Sequence, residues 1–75
     1  MLINQAKKMG SMYALTGSRK MENGIVVFWN EKDTAKSESF NYAELIEMKM
    51  NALDLLGDPK SYAIDLQSRT IVMKK

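Results

Sequence analysis

The chain has 75 residues and a mass of 8.5 kDa, room for one small domain spanning 1–75. Hydrophobic residues make up 45% and charged residues 27%, which is ordinary for a globular chain and too apolar for a disordered one. Cysteine and histidine are both absent, which excludes disulfides, thiolate chemistry, the usual zinc sites and the side chain that titrates near neutrality.

Residues 1–10 place Leu2, Ile3, Ala6 and Met9 at helical spacing before Gly10, so a short helix or a flexible segment is expected there. Residues 11–17 and 24–30 are predicted strands, the second rich in β-branched and aromatic side chains. Between them, Asn23-Gly24 is the pair expected to supply positive φ in a tight hairpin turn. Another turn is expected to begin at Lys32-Asp33-Thr34, followed by a short third strand from Ala35 to Phe40. Asn41 is a good N-cap, with Glu44 three residues on as the second half of a capping box. Strong helix formers then run over 42–56, with Gly57 as the expected C′ residue and Pro59 preventing continuation. Tyr62, Ile64 and Leu66, then Thr70 to Met73, form a second hairpin around a loop at Gln67-Ser68-Arg69. The expected fold is a small α+β single domain of order β-β-(β)-α-β-β: an antiparallel sheet with one long helix packed on one face.

A sheet covered by one helix should alternate apolar with polar residues, and the first hairpin does not. Ile25, Val27 and Trp29 oppose Val26 and Phe28, and Met12 and Ala14 oppose Tyr13 and Leu15. On one continuous helix, Tyr42, Leu45, Ile46, Ala52, Leu53 and Leu56 share an arc that Met50, Met48 and Leu55 widen. That arc spans roughly 200°, against the roughly 100° needed for one sheet. Lys49 falls near its middle and must snorkel, reach an interface or pair with a carboxylate such as Asp65 or Glu31. Seven methionines add adaptable apolar surface. A chain this small buries roughly 60% of its unfolded surface, and without disulfides an added subunit is the natural reinforcement. The surplus therefore points to a second contact, a homodimer or a partner protein. Phe28, Trp29, Met48 and Leu55 are the candidate apolar contacts. Glu44, Glu47 and Asp54 are the acidic contacts on the opposite stripe, which also holds Asn51 and ends at Asp58.

Residues 1–21 carry Lys7, Lys8, Arg19 and Lys20 without an acid, giving +4, and the remainder sums to −2. With Tyr13, Phe28 and Trp29 available for stacking, these four bases support the alternative of an RNA or single-stranded DNA binder using the first hairpin. No RNP sequence, GXXG loop or helix-turn-helix spacing accompanies them. The four glycines are too dispersed for a phosphate-cradling loop, and the carboxylates lack calcium-loop spacing. Ser18 with Lys20 would sit on a turn tip open to water, and Glu44 with Glu47 on an exposed stripe, so catalysis is not expected. No cofactor, metal or small-molecule substrate is expected.

No stretch is long and apolar enough for a membrane span, and residues 1–10 lack a signal-peptide run, so a cytoplasmic protein is expected. Size, methionine content and the lack of catalytic residues are compatible with small accessory proteins encoded by phages and other mobile elements. The expected function is that of a non-enzymatic adaptor or inhibitor that binds and occludes a partner protein.

Overall fold

A computed structural model describes residues 12–74. The expected N-terminal helix at 1–10, and the candidates Lys7 and Lys8, lie outside these residues. The strands are β1 (Met12–Met21), β2 (Gly24–Glu31), β3 (Thr34–Asn41), β4 (Tyr62–Asp65) and β5 (Thr70–Met73). Helices α1 (Tyr42–Glu47) and α2 (Ala52–Gly57) follow β3, and a 3-10 turn at Pro59–Ser61 leads into β4. Every pairing is antiparallel and the sheet order is β3-β2-β1-β4-β5. The chain is thus an α+β domain with a five-stranded antiparallel sheet.

The expected long helix is two short ones, and its interruption has a local cause. Asn41 caps α1 as expected, accepting from the Glu44 amide while the Glu44 side chain accepts from the Asn41 amide. At the far end the Lys49 amide donates to the Ile46 carbonyl and the Met50 amide to the Leu45 carbonyl, each at 2.9 Å. Lys49 has φ 60. This is a Schellman termination with lysine in the left-handed position. Asn51 then starts α2, its side chain accepting from the Leu53 and Asp54 amides at 2.9 and 3.2 Å. An asparagine that satisfies two orphan donors at a helix start contributes more there than inside a helix, where it is a poor former. Lys49 is accordingly exposed at the break, not set within an apolar arc.

Lysine in the left-handed region is strained, whereas glycine is not. Lys49→Gly is expected to stabilise the fold by up to about 1 kcal/mol, after allowing for glycine's extra unfolded-state entropy. A denaturation midpoint that rises at constant slope would register it. A clear fall would show that the left-handed cap is not where the chain turns.

Gly57 is the last residue of α2 and does not serve as a left-handed C′ residue, since no described glycine has positive φ. The helix closes instead through the Asp58 amide, which donates to the Asp54 carbonyl at 2.8 Å.

The core lies between the helices and one face of the sheet, built from Leu15, Ile25, Val27, Trp29, Phe40, Leu45, Leu55, Tyr62, Ile64 and Ile71. A bulge in β1 between Leu15 and Gly17 makes this possible. Leu15 pairs with Trp29, yet Gly17 pairs with Phe28, so Thr16 is an extra residue and the alternation shifts. Tyr13 and Leu15 face the helices before it, and Ser18 and Lys20 do so after it. Ser18 Oγ uses that position to donate to the Leu55 carbonyl at 2.8 Å, tying α2 to β1.

Candidate interaction surfaces

Breaking the helix re-aims its apolar side chains. Leu55 is fully buried, whereas Ile46 and Leu53 are 73% and 78% exposed. Angles summed at about 100° per residue hold within one helix and lose meaning across a left-handed residue. On one continuous helix Ile46 and Leu53 share the core-facing arc, whereas here they point out from α1 and α2. Leu55, a candidate contact, is a core residue. The surplus of buried-type side chains is smaller than the arc implied, since Ile25 and Leu55 are fully buried.

The acidic stripe is likewise divided. Glu47 on α1 and Asp54 on α2 are exposed. Asn51 is the N-cap between them, and Asp58 accepts from the Ser61 hydroxyl at 2.6 Å. Glu44 is engaged by Arg69, a residue that sequence reasoning placed in a loop without further role. Arg69 Nε and Nη1 donate to Glu38 and Glu44, each at 2.7 Å, and Nη2 donates to the Ser39 carbonyl at 2.8 Å. Its guanidinium lies 4.4 Å from the Phe40 ring centroid. The planar fork of arginine suits this combination, which lysine could not reproduce. The Asn41 amide bond and then Arg69 hold the Glu44 carboxyl below its ordinary pKa, while Glu38 first and Glu44 second raise that of Arg69. The cluster clamps the β4–β5 turn to the end of β3. Arg69 has φ 55, and no sequence signal marked this turn conformation.

A second surface lies between α2 and the sheet edge at β5. Met48 is half-buried, and its Sδ accepts from the Ile71 amide at 3.4 Å. Together with Met50, Tyr62, Ile71 and Met73 it lines a groove of about 440 Å³, with Asp54 on its rim. Met73 is 66% exposed.

The sheet face away from the helices is the third. Val26 and Phe28 are half-buried there and pair across β3 with Ser39 and Ser37. Trp29 is on the other side, 4% exposed within the core, so the two neighbouring aromatics are not joint anchors. The nucleic-acid constellation is also dispersed. Arg19 pairs with Val26 on the open face, and Lys20 pairs with Ile25 on the helix side. Tyr13 faces the helices, which leaves Phe28 as the described aromatic on the open face near Arg19.

Among the described residues, no group of three acidic side chains could hold a metal ion, and no helix is long and apolar enough to cross a membrane. Compared with known protein families, curated proteins and solved structures, the chain matches none.

Proposed function

We propose that this chain is a small non-enzymatic interaction protein of the cytoplasm that binds and occludes a partner protein through its helical layer. The observation that carries the reading is the outward placement of Ile46 and Leu53 on two capped helices whose other sides fill the core. Each of these anchors is followed by a carboxylate, Glu47 after Ile46 and Asp54 after Leu53. The matching surface is an apolar patch bordered by basic side chains. Burial of the two anchors supplies affinity, and the carboxylates set orientation and association rate.

The test compares proteins retained from a nuclease-treated extract by the wild type, by I46D and by L53D. Both substitutions alter exposed positions and should leave the folded spectrum unchanged. Partners held by the wild type and weakened about tenfold or more by each variant support the reading. Partners retained equally by the variants overturn it. So does capture that disappears with nuclease and weakens steeply as salt rises, which assigns the chain to nucleic acid instead.

A further inference from the structure

Among the described residues β5 is an edge of the sheet, and backbone alternation decides which of its groups face outward. The Lys74 amide donates to the Ser61 carbonyl at 2.8 Å, towards β4. Residues 72 and 74 therefore turn their amides inward, while 71 and 73 turn theirs out. The outward Ile71 amide meets the Met48 thioether, a weak acceptor readily exchanged for a carbonyl. On the helix side of this edge lies the groove lined by Met48, Met50 and Ile71, and Met73, which forms one wall of it, projects into solvent. A projection and a recess on the same short strand are what a self-complementary two-fold contact requires.

We propose that two copies of the chain pair antiparallel through β5, with the two-fold axis at Val72, joining their five-stranded sheets into one. In this register Ile71 of each copy faces Met73 of the other. Both present an outward amide and carbonyl, so each such pair exchanges both of its backbone hydrogen bonds. Val72 meets its own counterpart on the open face, a non-hydrogen-bonded pair with Cα atoms about 4.5 Å apart. Met73 of each copy enters the recess of the other beside Met48 and Met50, where flexible thioether chains adapt to one another. Lys74 falls opposite Thr70 of the second copy, on the cross-strand row that also holds Asp65. The other edge, β3, is suited to remaining unpaired, since it carries Lys36 and Glu38 among small polar residues. The contact uses neither Ile46 nor Leu53, so it stands or falls independently of the occlusion surface.

Light scattering of the full chain over a concentration series, with three variants, tests the pairing. The wild type should be a dimer at micromolar concentration. M73P removes an outward amide, a change that edge strands tolerate, and V72K sets like charges across the axis. Each should weaken the dimer about tenfold or more while the circular dichroism spectrum is unchanged. V72C, the sole thiol in a chain without cysteine, should form a disulfide-linked dimer on mild oxidation, because the expected spacing fits that bond. Should M73P fail to fold, the cross-link decides.

A wild type that stays monomeric throughout overturns the proposal. A dimer insensitive to M73P and V72K, in which V72C does not cross-link, pairs through another surface and overturns the proposal equally.

Discussion

Leu55→Ala is expected to cost about 2–5 kcal/mol of folding stability, whereas Leu53→Ala, two residues away on the same short helix, should cost under about 0.5 kcal/mol. Leu55 is 0% exposed and Leu53 is 78% exposed. The truncated Leu55 site cannot collapse easily, because Ser18 Oγ already holds the Leu55 carbonyl against β1. A domain of this length has a total stability of roughly 4–11 kcal/mol, so the loss takes a large share of it. Urea denaturation of both variants checks the contrast. Binding should invert the order. L53A loses the proposed partner while remaining folded, and L55A loses it only in proportion to its unfolded fraction. Equal destabilisation by the two substitutions would mean that α2 faces the sheet in another rotation, and the occlusion surface would have to be redrawn with it.

Much of the sheet was legible because its signals are local. Ile25, Val27 and Trp29 alternate into the core as a period of two requires, and Asn41 with Glu44 forms the capping box that its spacing announced. What escaped depended on single backbone conformations that ordinary residues adopt. Lys49 in the left-handed region breaks the helix, so 48–51 read as continuous helix formers although Asn51 was available as a second cap. The β2–β3 turn places Lys32 and Asp33 at φ 51 and 68, a pair of values for which Asn-Gly is the usual signature. The pair that does occur, Asn23-Gly24, lies where no positive φ is used, since the loop is Glu22-Asn23 and Gly24 already belongs to β2. The bulge at Thr16 has no signal in side-chain type, yet it decides which face Ser18, Arg19 and Lys20 occupy. Arg69 was invisible as a clamp because its partners stand 25 to 31 residues away. The surface anchors were missed for the same reason as the helix break. Ile46 and Leu53 share a face with the core residues on one unbroken helix and leave it on two.

Gly24→Ala is the other substitution expected to have a large effect, and its cause is close approach, not turn geometry. A methyl group built on Gly24 would collide with the Phe40 carbonyl oxygen and lie 2.7 Å from the Asn41 Cα. Both obstacles are backbone, so no rotamer change relieves them. Gly24 pairs with Asn41 at the end of the β2–β3 ladder, and the next amide, Tyr42, donates to the Asn23 carbonyl at 3.1 Å. Pushing β3 away at this point would withdraw Phe40 from the core and displace the Asn41 cap that starts α1. It would also move the Ser39 carbonyl and Glu44 away from the Arg69 fork. A cost of about 3 kcal/mol or more follows from overpacking against atoms that cannot yield. Gly17→Ala is the control, since its nearest contact is the Phe28 Cδ2 at 4.0 Å on the open face. It should shift stability by less than about 1 kcal/mol. Thermal and urea unfolding of the two alanine variants side by side measure the difference. If G24A matched G17A, the register joining β2 to β3 would be wrong, and with it the placement of α1 and of Ile46.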